Sequence, residues 1–524
     1  MDKEVRLRNY HAHKWDEPLL MEMSCEGQRG ILVPRAEAEI RQAIGDAESL
    51  VPAEMLRKEP PDLPQLAQPQ ILRHFLHLSQ MTLGTDVNID IGLGTCTMKY
   101  SPKINEYLAR SPKLTELHPL QDVDTLQGIL EIIYRTEEFI KEISGLDRVS
   151  FQPGSGSQAV FTAVSIVRAY HTARGEGEQR NEIITTMFSH PCNAATPATA
   201  GFEVITLMPE ENGLPSIEAL REAVSERTAA ILITNPEDTG IYNAGIKAIV
   251  DLVHQAGGLC FYDQANANGV LGKVRALEAG FDMCHFNLHK TFSAPHGSLG
   301  PATGALAVTK ELEKFLPLPL VVYDGHRYDL DYNRPHSIGK VKGFLGNPQL
   351  VLRTYAWIMS LGGAGLESVA ETAVINNNYL DQQLMGIPGI VKPYHQGEIR
   401  LDQIRYSWQK LSEDTGVGTE DVERRMTDFG LQGYWTSHFP WIVDEPFTPE
   451  PTESYSKDDI DYWAAVMKQI SKEAYADPEK VRQAPHRGPI GRIDETPMMD
   501  AARSAVTYRQ YKKLKERAEA ENNG

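Results

Sequence analysis

Between residues 149 and 308, short β-rich runs alternate with segments whose apolar residues recur at helical spacing, and this alternation restricts the fold more than any other feature of the chain. The β-rich runs are Val149–Phe151, Ile183–Phe188, Val204–Met208, Ala230–Thr234, Leu259–Tyr262, Met283–Phe286 and Ala305–Val308. Helices are read at Ser157–Tyr170, Ser216–Glu226 and Ala244–Ala256, with Ser216 as an N-cap. An earlier helix follows from Leu126, Ile129, Leu130, Ile133, Ile140 and Ile143, which share one helical face. Strands joined through helices run parallel, so the pattern predicts an α/β domain on a mainly parallel sheet. Ligands on such a sheet bind beyond the carboxyl ends of its strands.

The flanks read differently. Residues 1–115 are rich in proline and charge and are expected to form an N-terminal arm that packs on something larger; the alternative is a partly disordered leader. Residues 116–345 form the large α/β domain. Residues 346–524 turn helical at Pro348–Gly362, Glu367–Leu384 and Lys457–Tyr475, which predicts a smaller α+β C-terminal domain with a charged tail. The net charge of −19 argues against nucleic acid, whose phosphates need Lys and Arg. The N-terminal segment lacks the apolar core of a signal peptide, and no run reaches 18 apolar residues, so neither secretion nor a membrane is expected. Cys25, Cys96, Cys192, Cys260 and Cys284 are scattered without a CxxC pair. They read as reduced thiols of a cytoplasmic protein, with no metal site.

The chemistry gathers where the β-rich runs end. Asp263 closes the run Leu259–Tyr262, with Ala265 two residues on. Lys290 follows the run Met283–Phe286 in His285-Phe286-Asn287-Leu288-His289-Lys290-Thr291. A carboxylate at one strand end and a lysine at a neighbouring one suit pyridoxal 5'-phosphate. The lysine carries the cofactor, and the carboxylate keeps the pyridine nitrogen protonated. A small residue such as Ala265 lets the ring lie flat. A lysine taken alone is more often a surface residue, so the assignment rests on its company. Pro153-Gly154-Ser155-Gly156-Ser157-Gln158 lies between a strand and a helix and offers backbone N–H groups to a phosphate. It is not a nucleotide-binding P-loop. His190 stands at another strand end, either stacked on the ring or as a capping or core histidine.

The stretch Asn287–Gly297, read as NLHKTFSAPHG, resembles the lysine motif of the glycine cleavage system P-protein family, in its two-subunit form the half named subunit 2. The likeness continues through LRKEPPDLP (Leu56–Pro64), RHFLHLSQ (Arg73–Gln80), GTCTMKYSPKINE (Gly94–Glu106), HPLQ from His118, TNPEDTGIY from Thr234, PHSIGKVKGFLGN (Pro335–Asn347), EPTESYSKDDID (Glu450–Asp461) and APHRGPIGRIDE (Ala484–Glu495). The resemblance implies the fold-type-I, aspartate-aminotransferase-like architecture. It makes Lys290 the cofactor lysine and Asp263 the partner of the pyridine nitrogen. Ala265 and His190 would sandwich the ring, and Ser155, Gly156, Ser157 and Gln158 would take the phosphate, with Asn287 among the cofactor-binding residues. Lys290 and His190 are the catalytic candidates. The implied reaction is glycine decarboxylation with transfer of the aminomethyl group to the lipoyl arm of the H-protein, in an assembly with subunit 1. Self-association as a homodimer is also expected, since fold-type-I enzymes share active-site residues between copies. Arg482–Arg492 and Arg509–Arg517 are the basic segments an H-protein could meet, or simply solvated charge.

Several family positions depart from the pattern. The glycine-rich loop after PHG reads Ser298-Leu299-Gly300-Pro301-Ala302, HGTNPAS reads His190–Thr196 as HPCNAAT, and DGAN carries Gln264. Val160 stands for an acidic residue, no HE pair appears near Arg405–Gln409, and Gly430–Tyr434 replaces a GFHPP-like element. Besides glycine cleavage, a divergent pyridoxal-phosphate paralogue acting on another amino acid therefore stands as an expectation, and a silent structural subunit as a third.

Overall fold

The computed structural model describes residues 5–522 except 46, 60, 85, 86, 93, 95–98, 298, 299, 395–398, 501 and 506. Cys96, the Thr95–Met98 part of the GTCTMKYSPKINE motif, and the Ser298-Leu299 departure lie outside the described residues. The chain divides into two compact units, one of residues 1–9 and 84–483, the other of residues 10–83 and 484–524.

The first unit is built on a seven-stranded sheet of order β1-β7-β6-β5-β4-β2-β3. The strands are β1 (Arg148–Ser150), β2 (Glu182–Thr186), β3 (Glu203–Leu207), β4 (Thr228–Thr234), β5 (Leu259–Gln264), β6 (Met283–Asn287) and β7 (Gly304–Val308). Strands β3, β2, β4, β5 and β6 run parallel; β7 lies antiparallel to both β6 and β1. Each β-rich run of the sequence is thus a strand of one sheet. The period of two sorts their side chains: Ile231, Ile233, Cys260, Tyr262, Cys284 and Phe286 enter one core, and Ala230, Leu232, Leu259, Phe261 and Met283 the other. Strands buried on both faces are nearly continuous apolar runs, as β4 and β5 are.

Helices α1 (Gln127–Ser144) and α4 (Ile246–Gln255) cover the first face, and α2 (Gly156–Ala173) the second, with the short α3 (Cys192–Thr199) following β2. The helical face read at Leu126–Ile143 is the buried stripe of α1, which ends at Gly145 in the left-handed conformation. A short hairpin, Leu320–Tyr323 with Tyr328–Asp331, and the helix Lys103–Ala109 had no signal in the sequence reading.

Helix α5 (Pro348–Leu384) joins the two read at Pro348–Gly362 and Glu367–Leu384, with non-helical backbone at Gly362. Its first half packs Leu350, Val351, Trp357 and Ile358 into the core under the sheet. Its last turns place Leu380 and Leu384 in a separate core with Trp408, Phe447 and Trp463, the last on α6 (Lys457–Ala476). Among the described residues α5 alone has the length and mean hydropathy to cross a membrane, but it breaks at Gly362 and gives Leu350, Val351, Trp357, Ile358, Leu380 and Leu384 to these two cores.

The second unit contains the helix Gln68–Gln80, whose His74 and His77 both bond the Glu17 carboxylate, with Trp15 stacked on His77 at 3.8 Å.

The loop after β4 is clamped to the segment that enters the smaller core. The Arg400 guanidinium donates to the Thr239 carbonyl at 2.7 Å, and Leu401 N–H to the Gly240 carbonyl at 3.0 Å. Gly240 has φ +73°, and a Cβ there would stand 1.9 Å from the Gln403 carbonyl oxygen. Gly240→Ala combines a left-handed backbone with a backbone clash, so the unfolding midpoint in urea should fall by the equivalent of about 3 kcal/mol. An unchanged midpoint would mean that the two segments do not approach this closely.

Candidate functional site

Strands β4, β5 and β6 end side by side, with Asp263 in register with Thr234 and His285. Beyond these ends lies a small hollow of about 30 Å³ lined by His190, Asp263, Ala265, Lys290, Asp402 and His438, among others. The structure therefore brings together Lys290, Asp263, Ala265 and His190, which the sequence spreads over 100 positions from 190 to 290.

Asp263 is 2% exposed. Its Oδ2 accepts from Asn193 Nδ2 at 2.9 Å and its Oδ1 from the Ala265 N–H at 3.0 Å, with His285 Nε2 3.6 Å from Oδ1. Burial alone would raise its pKa, but His285, the Ala265 N–H, His190 and Asn193 together hold it below the ordinary carboxylate value. Asn193 was noted in the sequence only as part of an altered motif. Its role depends on α3 folding back over β5, which no local pattern reports.

Lys290 is buried on a tight turn: its N–H donates to the Asn287 carbonyl at 3.0 Å, and its carbonyl accepts from Ser293 N–H at 3.2 Å. Its Nζ makes no hydrogen bond or ion pair among the described residues. Around it, His289 is pushed down to about 3 by burial and by the Lys290 charge, and packs edge-on against His296.

His190 accepts the Cys192 N–H on Nδ1 at 3.1 Å, so the neutral ring carries its proton on Nε2. Burial, then the Lys290 charge, lower its pKa to about 4. His438 meets it edge-on, with ring centroids 4.6 Å apart.

Ser155, Gly156, Ser157 and Gln158 do not line the hollow; they form the N-terminal turn of α2. Ser155 Oγ caps the helix by accepting Gln158 N–H at 3.0 Å. Gln158 accepts from Gly154 N–H at 2.6 Å and donates to the Val341 carbonyl at 2.6 Å, so its side chain braces the loop. Burial pushes the Cys192 thiol up to about 12, with Ser157 acting weakly the other way. Asn287 connects turn and hollow: a Cβ on Gly156 would meet its amide at 2.7 Å, and its Oδ1 is buried without a partner. Lys342, absent from the sequence reading as a site residue, brings its Nζ to within 2.4 Å of where a Gly154 Cβ would lie.

A larger cavity of about 490 Å³ adjoins the hollow and shares His190, Asp238 and His438 with it. Arg405 lines this cavity, 5% exposed, with Nη2 on Asp238 Oδ2 at 2.5 Å and Nε on Thr448 Oγ1 at 3.2 Å.

Residues 369–486 match the family described as glycine dehydrogenase, C-terminal domain, and residues 141–329 match aminotransferase class-V. A protein of Pyrococcus abyssi named probable glycine dehydrogenase (decarboxylating) subunit 2 is 44% identical over 98% of this chain and 100% of its own length. A protein of the same name from Halalkalibacterium halodurans is 41% identical over 95% and 99%. The chain belongs to this glycine dehydrogenase subunit 2 family. Its fold is that of a crystal structure of glycine decarboxylase (P-protein) of the glycine cleavage system, with a TM-score of 0.70 at 21% identity, covering 84% of this chain and all of that one. A NifS-like protein shares it more loosely, with a TM-score of 0.56 at 15% identity, covering 72% of this chain and 98% of that one. The fold-type-I expectation thus holds, and the departures noted in the sequence lie within a glycine dehydrogenase framework.

His190 binds a proton less readily in the fold, at about 4, than in the unfolded chain, at its ordinary 6.5. Its contribution to stability is complete above the unfolded value and is lost as the pH falls toward the folded one. The stability advantage of the parent over His190→Gln should therefore shrink between about pH 7.5 and about pH 5 in urea titrations. A constant difference would mean that His190 is not held neutral.

Proposed function

We propose that this chain is the cofactor-bearing subunit of a glycine decarboxylase, holding pyridoxal 5'-phosphate on Lys290 and passing the aminomethyl group of glycine to the lipoyl arm of an H-protein, together with a subunit 1. The observation that carries this reading is the buried Asp263–Lys290 pair in a chain 44% identical, over almost its whole length, to relatives that bear that name.

The residues fit the cofactor. A buried carboxylate held ionised by Asn193 and Ala265 suits a protonated ring nitrogen. The unpartnered Oδ1 of Asn287 and Oγ1 of Thr234 are buried polar atoms that await a partner. At the α2 turn, Gly154, Gly156 and Gly304 stand where any Cβ would collide, at 2.4, 2.7 and 2.7 Å, so the backbone packs closely around a turn whose free N–H groups and neighbouring Lys342 favour a phosphate. When bound, pyridoxal phosphate supplies an electron sink for the pair released as a substrate carboxylate departs as carbon dioxide.

The protein's own part follows from its geometry. Asp263 balances positive charge at the floor of the hollow. His190, neutral, offers its Nε2 proton as a donor and stays neutral at working pH, so it adds no charge to repel Lys290. Lys290 Nζ, without a hydrogen bond among the described residues, can gain or give a proton. Burial keeps water out and strengthens each of these interactions. The adjoining cavity of about 490 Å³ exceeds what glycine needs and leaves room for a second reactant.

The visible spectrum of the cofactor-loaded chain, titrated with glycine and then with other amino acids, tests the reading. A saturable change with glycine is expected, and with Lys290→Ala neither the cofactor's visible band nor the change should survive. Silence toward glycine with a response to another amino acid would instead make the chain a paralogue of different substrate. Gly156→Ala should loosen cofactor retention by about tenfold, measured by equilibrium dialysis, through its collision with Asn287; unchanged retention would place the phosphate elsewhere.

A further inference from the structure

The wall of the Lys290 hollow holds a second acidic centre with no role in the account above. Asp402 is 3% exposed and lines the hollow; Glu450 is 0% exposed and lies behind it. Asp402 Oδ1 and Glu450 Oε2 are both buried without a hydrogen-bond partner. The Asp402 charge acts on Glu450, and two neighbouring carboxyls buried together cannot both stay ionised, so the pair holds one proton. The other Glu450 oxygen accepts from Asn266 Nδ2 at 2.7 Å and Asn268 Nδ2 at 2.6 Å, which fixes the carboxyl plane. A Cβ on Gly269 would stand 2.6 Å from Asp402 Oδ1, so the backbone packs closely against the aspartate from that side too.

The surrounding charges are few and placed. Lys99, 1% exposed, reaches Asn268 Oδ1 at 3.3 Å and Glu453 at 2.8 Å, and its charge also draws Asp402 downward. Tyr262 faces Asp402 from β5, and Tyr455 faces Glu450. Across the hollow stand Lys290, Asp263, His190, Asp238 and His438. Asp238 is committed to Arg405, and Asp263 to Asn193 and Ala265. Asp402 is thus the carboxyl of this wall that is both open to the hollow and not already saturated by cations or amides.

We propose that Asp402 is a catalytic acid–base residue of this site, with Glu450 as its positioning residue, and that the pair takes the proton an incoming amino-acid substrate must shed. The proposal rests on the reading of the hollow as an amino-acid site. An amino group arrives as an ammonium, which has no electron pair to attack with. One N–H bond breaks, its electron pair stays on nitrogen, and an O–H bond forms on Asp402. The pair passes from one proton and one negative charge to two protons and none, while the substrate nitrogen becomes neutral. Burial favours this direction, because it removes a charge from both partners in a place where charge is poorly solvated. The same proton leaves on the departing nitrogen, which resets the pair. Burial raises Asp402 above the usual carboxylate range, with Glu450 pulling it back down, and burial together with the Asp402 charge raises Glu450 far above that range, which brings Asp402 toward the working pH of a base.

The test is the rate of the visible change when the cofactor-loaded chain is mixed with glycine, or with whichever amino acid the parent answers to, across the pH range. The parent rate should rise with pH as the pair loses its second proton. Asp402→Asn should retain the cofactor but slow the change by about 100-fold and abolish that rising limb. Glu450→Gln replaces the O–H that steadies the Asp402 anion with a weaker donor, so its limb should move to higher pH. A rate within about twofold of the parent in Asp402→Asn, with the limb in place, would overturn the proposal. So would loss of cofactor from both variants, which would make the pair structural. If Asp402→Asn does not fold, an unshifted limb in Glu450→Gln overturns it alone. A parent that answers to a different amino acid rejects glycine as substrate but leaves this test intact.

Discussion

A carboxylate kept charged in a place that water does not reach must have that charge answered by the protein, and Asp263 is answered from three directions. Its own strand's continuation supplies the Ala265 N–H, α3 supplies the Asn193 amide, and β6 supplies His285. Two of these require long-range contacts to be correct, the register of β5 with β6 and the return of α3 after β2, and the third needs only the local turn after β5. The fold is in this sense a device for holding one negative charge at a fixed point, at a cost in desolvation that the ring nitrogen of a cofactor would offset. Lys290 then comes to the same point because β6 lies next to β5 and the chain turns back immediately after it.

Histidines set the tone around that charge. His190, His289 and His438 are each lowered by burial, with Lys290 as a further cause. Neutral rings can pack against one another, as His190 does on His438 and His289 on His296, without repelling a lysine that must itself exchange protons. The site therefore places its formal charge on a few carboxyls and cations and fills the remaining wall with uncharged donors and apolar rings.

The sheet was legible because burial on both faces leaves unmistakable apolar runs, and the period of two within β4 and β5 matches the two cores residue by residue. Lys290, Asp263, Ala265 and His190 were legible because each follows such a run closely. Other parts were hidden for physical reasons. Asp402, Arg405 and His438 reach the hollow or its cavity from the chain after α5, more than 100 residues from Lys290, so nothing local marks them. The turn holding Ser155 and Gln158 was read as a phosphate site through its backbone N–H groups; their side chains brace the loop, and Lys342 reaches that turn from far along the chain with no local signal. The departures also divide. Val160 is wholly buried among α2 and sheet residues, where an apolar side chain suits its surroundings. Gln264 is buried at the end of β5 with Oε1 unpartnered, next in the chain to Asp263, and lines neither the hollow nor its cavity.

Lys290, as the residue proposed to carry the cofactor, is the point on which the chemistry turns. Borohydride reduction of the cofactor-loaded chain fixes the group on its lysine, and peptide mapping by mass spectrometry then reads the position. The account predicts the added mass on the peptide that contains Lys290 and its absence from that peptide when glycine at saturation precedes reduction. The label on another lysine, such as Lys342 or Lys99, or on none, would contradict it.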